Sequence, residues 1–537
     1  MIETLALVLG GLVVVMATHA LANRTGLPSS VLLVLAGIAY GYLPLPGANL
    51  ALDPHVVLYL LIPPLLYAAA LQSSLLELRK NARTVVGLSV FLVAVTALAV
   101  GVGLSAVVTA IPLAVAIAIG AAVAPPDPVA ALSIGRRAGL PPRLITIVEG
   151  EGLLNDATAL TILQVAVAAS VSHTFSLGGA TGEFLFVAAG GLAVGAVMAL
   201  IVAQLRRWTT DTLIDNALSL GTPFATFLIA EQLHVSGVLA VVVAGLWLSH
   251  RNPYLQSGGA RLQNRAVWRF VEFLLEGYVF VLIGQQLPAV VRGLSEYSPG
   301  TVVVAAAVTV GVVLLVRPLW LLVSAHLPAR MHARLGGDPK PGNPSLSGRE
   351  LLALSWAGTR GVITLAAAFS LPADTPARDL LLFCAYVVVM MTLIGQGLTF
   401  APLLRRLRLP GTSAARALVR NQARTAALRA ALVRLDDLVE NDPDLGRAAM
   451  PLRRAAELRL ERYEERVTLL SELEDDELPV DNDYRRGLRL RREMITAERE
   501  ELLSWRESGQ LPDADLRILE RELDHQESIL PPGEPGH

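Results

Sequence analysis

Apolar runs of membrane length alternate with short polar breaks from the N-terminus to about residue 410. Cutting them at Pro, Gly and charge gives thirteen candidate spans. They lie at about 4–23, 28–44, 56–73, 84–109, 111–134, 144–170, 183–205, 213–231, 236–249, 268–290, 300–327, 350–371 and 380–404. A helix needs ~17–25 residues to cross a bilayer, so the short run at 236–249 extends into a flank or is tilted. From Gly411 the pattern changes to dense charge with apolar residues at helical spacing. It predicts helices over 413–440, 447–475, 481–506 and 513–528, with Pro451 beginning or interrupting the second. Breaks fall at Asn441-Asp-Pro, Glu477-Leu-Pro and Gly509-Gln-Leu-Pro. The expected fold is an all-α membrane protein: a transmembrane domain over 1–410 and a small helical cytoplasmic domain over 411–537.

Charge sharpens that division. Of the 90 charged residues, 42 lie in 1–410 and 48 in the much shorter 411–537. The loops between spans are asymmetric. One alternating set carries 17 basic residues, among them Arg79, Lys80, Arg83, Arg136, Arg137, Arg206, Arg251, Arg330, Arg334 and Lys340; the other carries only Arg292 and Arg378. The positive-inside rule places the first set and the C-terminus in the cytoplasm and the N-terminus outside a plasma membrane. A missed span would scramble that asymmetry. Met1–Ala22 ends like a signal-peptidase site but has no basic start, so it reads as an uncleaved first helix. The single Cys384 excludes a disulfide framework or cysteine metal cluster. No nucleotide fingerprint appears, and nothing suggests nucleic acid; the bilayer is the evident partner.

Thirteen spans accommodate two six-helix repeats of opposite orientation around one linker helix, a common transporter plan. The corresponding fifth helices are 111–134 and 350–371. Both contain helix breakers: Pro125, Pro126 and Pro128 around Asp127 in one, Gly358 and Gly361 around Arg360 in the other. Each such proline removes a backbone donor and frees an upstream carbonyl, and unwound backbone at membrane depth is tolerated where it lines a cavity or is buried in protein. Freed carbonyls beside the Asp127 carboxylate suit a small hard cation. The alternative is a proline kink in which Asp127 merely caps the second half-helix.

The next span reads Val148-Glu-Gly-Glu-Gly-Leu-Leu-Asn-Asp. If it enters near Leu144, Asp156 lies ~18 Å deep. Glu149 and Asp156 share one face, and Glu151 and Asn155 another. An ionised group at the bilayer centre costs ~2.5–3.5 kcal/mol on insertion scales, so each needs a partner or an aqueous cavity. Arg360 lies at a depth similar to Glu151, and the two are expected to pair as a structural unit. Asp156 has no obvious dedicated cation, so protons and metal cations compete for one carboxylate, which couples their movements. Glu276 and Arg317 are expected to hold two adjacent helices as an ion pair. His19 reads as a packing residue, and Gly37/Gly41 and Gly191/Gly195 match small-xxx-small helix packing.

With these residues in view, the chain resembles monovalent cation:proton antiporters of the NhaP/NHE-like class over essentially all of 1–410. The resemblance is carried by Pro63-Pro64-Leu-Leu-Tyr, Asp127-Pro128-Val-Ala, Gly150-Glu151-Gly-Leu-Leu-Asn155-Asp156, Val235-Ser-Gly-Val-Leu-Ala and Arg360-Gly361-Val. It implies a core bundle with two crossed, unwound helices rocking against a dimerisation bundle, hence a homodimer. It implies that Asp156 binds the cation and the proton, that Asp127 shapes the site, and that Glu151–Arg360 is a stabilising pair. It further implies electroneutral exchange, because electrogenic relatives carry Asp at the position of Asn155. The transported ions would be H⁺ and Na⁺, or K⁺ or Li⁺; no bound cofactor and no enzymatic role are expected. Pro126, Gly152 and Ala68 depart from the family's usual Thr, Ser and, in some relatives, acidic residue, so water or backbone carbonyls would replace those ligands. A channel or uniporter, or a membrane-anchored sensor with a helical output domain, are the rival functions. A single asymmetric polar cluster argues against a symmetric pore, and the tail carries no output motif.

Overall fold

The computed structural model describes residues 2–25, 27–43, 56–172, 177–209, 211–326, 346–409, 413–472, 482–528 and 530. The chain divides into two compact units, residues 1–410 and 411–537. All regular structure among the described residues is helical. The basic loop residues Arg330, Arg334 and Lys340 and the Glu477-Leu-Pro break lie outside the described residues.

The first unit holds α1 (Ile2–Thr25), α2 (Ser29–Tyr42), α3 (Ile62–Gln72) and the short α4 (Leu75–Lys80). Next comes α5 (Ala82–Val107), followed by α6 (Leu113–Val123), α7 (Pro128–Arg137), α8 (Pro142–Ser172), α9 (Leu177–Trp208), α10 (Thr212–Gln232), α11 (Gly237–Leu255) and α12 (Gly258–Gln285). The short α13 (Leu287–Arg292), α14 (Pro299–His326), α15 (Gly348–Trp356) and α16 (Val362–Phe369) lead to α17 (Arg378–Leu407). Seven of the described helical segments are at least 18 residues long and apolar enough to cross a membrane; α6 and α7 together form one of them, and α2 is a shorter apolar helix.

The helices sort into two sets that pack mainly among themselves. One comprises α1–α3 with α9–α12; the other comprises α5–α8 with α14–α17. Small residues set the closest approaches in the first set. A Cβ on Gly37 of α2 would strike the Val281 carbonyl of α12, and one on Gly284 would strike the Val34 carbonyl in return. Gly191 and Gly195 of α9 lie close against the Ser236 and Ala240 carbonyls, with no room for a Cβ. Both small-residue pairs thus mark helix contacts, as van der Waals packing of backbones requires. His19 packs edge-on against Phe273, 5.2 Å between ring centroids.

One end of this set is tied by a polar knot that the sequence pattern hid in loops. Arg206 is 2% exposed; its Nε lies 3.0 Å from the Asp215 carboxylate, and its Nη1 donates to Asn252 Oδ1 at 2.8 Å. Gln256 Nε2 donates to the other Asp215 oxygen at 2.5 Å. The charge joins the ends of α9 and α11 to the start of α10 because a buried guanidinium requires a carboxylate and further acceptors.

The second unit comprises α18 (Ser413–Asn441), α19 (Gly446–Ser471), α20 (Asn482–Glu507) and α21 (Asp513–Ser528), paired as α18 with α19 and α20 with α21. Pro451 sits inside α19 near its start. Gly509 closes α20 at φ +75°, where glycine is preferred, while the Trp505 carbonyl accepts from Gln510 N–H. Cross-helix ion pairs such as Arg429–Glu464 and Arg499 with Asp524 and Glu527 lie on the solvated faces.

Candidate ion site

The prolines do break their helix. α6 ends at Val123, Pro125 and Pro126 cannot donate, and α7 restarts at Pro128. The second segment breaks at 357–361, between α15 and α16. The two breaks touch. Asp127 N–H donates to the Thr359 carbonyl at 2.6 Å, and Thr359 Oγ1 donates to the Asp127 carbonyl at 2.9 Å. Each unwound strand thereby satisfies polar groups that lipid could not.

Four helix ends meet around this crossing, and at three of them orphan groups are met by charge of the matching sign. Asp127 caps α7: its Oδ1 accepts from Val129 N–H at 2.9 Å. Arg360 caps the end of α6, donating from Nε to the Val123 carbonyl at 3.2 Å and from Nη2 to the Ala124 carbonyl at 3.1 Å, with Nη1 on the Gly358 carbonyl. Its own N–H donates to Thr392 Oγ1 at 3.0 Å. Arg317 does the same for α15, donating from Nε to the Leu354 carbonyl at 2.9 Å. Gly361 is required here because a Cβ would collide with the Asp127 carboxylate.

The arginine assignments read from sequence need correction. Glu151 is bound by Arg317, not Arg360: Arg317 Nη1 and Nη2 donate to the two Glu151 oxygens at 2.5 and 2.8 Å. Glu151 and Arg317 are 1% and 2% exposed. Similar depth along two spans does not fix which side chain reaches which, and Arg360 is spent on helix-end carbonyls. The expected Glu276–Arg317 pair is likewise absent, since the two residues lie on helices of different sets. Arg317, a lone arginine within an otherwise apolar α14, stood out in the sequence but with Glu276 as its expected partner; Thr359 and Thr392 are the members that no sequence signal marked.

Asn155 and Asp156 diverge by one helical step. Asn155 is fully buried and donates from Nδ2 to the Pro126 carbonyl at 2.7 Å, which ties α8 to the unwound segment; its Oδ1 is buried with no hydrogen-bond partner among the described residues. Asp156 is 5% exposed and faces a cavity of about 240 Å³ between the two helix sets. Residues of α3 and α12 form one wall. The break at Pro125–Asp127 with α7, α8 and α16 forms the other. Asp127, Glu149, Glu272 and Glu276 share this lining, while Glu151, Asn155 and Arg360 lie behind it. Gly152 also lines the cavity, and a Cβ there would run into the Pro128 ring, so the close approach of α8 to α7 leaves no room for a serine. Five carboxylates, those of Asp127, Glu149, Asp156, Glu272 and Glu276, thus meet in one otherwise largely apolar cavity.

A sequence model of the family described as "Sodium/hydrogen exchanger, transmembrane" matches residues 11–406. An uncharacterised Na⁺/H⁺ exchanger of Mycobacterium tuberculosis is 32% identical, over 97% of this chain and 96% of its own. A sodium, potassium, lithium and rubidium/H⁺ antiporter of Bacillus subtilis is 30% identical, over 71% of this chain and 59% of its own. Among solved structures, the sodium proton antiporter MjNhaP1 of Methanocaldococcus jannaschii matches with a TM-score of 0.60 and 19% identity, over 75% of this chain and 98% of that one. The family model, which spans both broken helices, and the relative matched over nearly its whole length lead to one conclusion: the chain belongs to the sodium/hydrogen exchanger family of monovalent cation:proton antiporters.

Proposed function

We propose that this protein exchanges a monovalent cation, Na⁺ or else K⁺ or Li⁺, for H⁺ across the plasma membrane by alternating access, for pH and cation homeostasis. The observation that carries the reading is Asp156: a deep carboxylate with no hydrogen bond or ion pair among the described residues, facing the cavity beside the crossed breaks. A carboxylate in that position must be neutralised by something mobile, and either a proton or a cation does so. Because one carboxylate carries one or the other, each half-cycle bears the same net charge and exchange is electroneutral. Asp127 shapes the site through the α7 cap, while the Pro126 and Asp127 carbonyls are already engaged by Asn155 and Thr359, so the further donors are the carboxylates of the lining and water.

The cavity lies between two helix sets, which supports movement of α5–α8 and α14–α17 against the rest. Thirteen spans in two inverted six-helix repeats suit the matching positions of the two breaks. The loop-charge asymmetry supports an outside N-terminus and a cytoplasmic second unit; the homodimer rests on the family resemblance alone. Everted vesicles with an imposed pH gradient test the exchange: added Na⁺, Li⁺ or K⁺ should dissipate it, and the order of potency gives the cation. Protons and cation share Asp156, so the cation KM should rise as pH falls. A turnover that accelerates under a valinomycin-clamped potential would refute electroneutrality.

A further inference from the structure

Five carboxylates line the cavity, and they are not equivalent. Asp127 accepts from Val129 N–H at 2.9 Å. Glu149 is held by Arg136 at 2.5 Å. Glu272 accepts from Gln72 Nε2 at 2.9 Å. Asp156 and Glu276 have neither a hydrogen bond nor an ion pair among the described residues, and both face the cavity. They come from opposite walls: Asp156 from α8, Glu276 from α12, in the two different helix sets.

The ordinary use of a carboxylate inside a membrane domain is to hold a neighbouring helix through a cation. Glu276 does not do this: it has no cation partner among the described residues, and Arg136, the arginine of the cavity lining, is engaged by Glu149. The second unpartnered group, Asp156, is 5% exposed and aimed into the same space. A volume of about 240 Å³ holds several waters at ~30 Å³ each, enough for a partly hydrated monovalent cation between the walls.

We propose that Glu276 is a second cation-binding carboxylate of the transport pathway, which takes the cation at the cavity and passes it to Asp156 across the gap between the helix sets. The assignment rests on the exchange reading above. Its consequence is an asymmetry. Movement of one helix set against the other changes the separation of the two carboxylates, so Glu276 serves Asp156 only from the side to which this cavity opens. The cavity reaches Gln72 and Ser73 at the end of α3 and Arg136 at the end of α7, the face that loop charge assigns to the cytoplasm. From the other face Asp156 loads without Glu276.

The experiment is Na⁺-driven proton movement by the full chain in everted and in right-side-out vesicles. Glu276→Gln should raise the KM for Na⁺ about tenfold at the cytoplasmic face, the effect of losing one attractive charge in a partly solvated cavity. The KM at the opposite face and the maximal rate should stay near the parent's. Glu276→Asp, which keeps the charge, should show a smaller rise confined to the same face. Unchanged KM values at both faces in either inserted variant, an equal rise at both, or a fall in maximal rate alone would overturn the assignment. If Glu276→Gln does not insert, the Glu276→Asp comparison of the two faces decides. A parent protein inert toward Na⁺, Li⁺ and K⁺ would instead refute the exchange reading, and this assignment with it.

Discussion

Glu151 accepts both terminal nitrogens of Arg317, at 2.5 and 2.8 Å, while the same guanidinium reaches the Leu354 carbonyl at 2.9 Å. One ion pair thus neutralises its own charge and closes the end of a broken helix. Removing one partner of a buried pair costs ~3–5 kcal/mol, because the other charge is left uncompensated. Glu151→Gln and Arg317→Met should therefore each lower the melting temperature of purified protein, and the double variant should lose less than the sum. Additive losses in the double-mutant cycle would show that the two residues act apart. Arg317→Lys should not restore stability, since an ammonium cannot make the bidentate contact and reach the carbonyl together.

Asp127 and Asp156 line one cavity but should respond differently to the same substitution. Asp156→Asn should abolish cation-driven proton movement with melting temperature unchanged or raised, since this carboxylate has no protein partner to lose. Asp127→Asn should keep its helix cap, because Asn caps about as well as Asp, and should weaken exchange without abolishing it. Vesicle assays and thermal melts on both variants check the contrast. Equal loss of exchange in the two would make Asp127 a full transporting ligand.

Gly361→Ala should damage transport without removing any polar group. Its Cβ would collide with the Asp127 carboxylate, so either the α7 cap or the crossing of the breaks must shift. The expected outcome is inserted protein with exchange reduced at least tenfold, since small misplacements at a reacting group cost that much. Parent-like exchange would mean that the crossing tolerates displacement.

Removal of 411–537 should leave an inserted protein that exchanges ions. All five carboxylates of the cavity and both arginine caps lie before residue 410, and the second unit carries its own paired helices. Exchange by the truncated chain in everted vesicles, with at most a displaced pH profile, is the expected result. Loss of exchange in a well-folded truncation would make the tail part of the transport machinery.

Local sequence patterns disclose the helices and the two breaks, because each depends on neighbours in the chain. Pro125, Pro126 and Pro128 end α6 through a missing donor, and the tail helices start and stop within a few residues of where charge and Pro or Gly signals placed them. Asp156 stood out by depth alone. Pairings of the charges were a different matter. Arg360 and Glu151 are expected at comparable depth, yet Arg360 turns to the carbonyls of Val123 and Ala124, and Glu151 to Arg317. Arg206 read as a loop charge but is buried against Asp215. Depth is a one-dimensional property that hydropathy records along the chain. Which cation meets which carboxylate depends on the rotation and neighbours of each helix, and on which helix ends leave carbonyls unpaired. Those were decided only when the two breaks crossed at Asp127 and Thr359 and the helix sets closed around them.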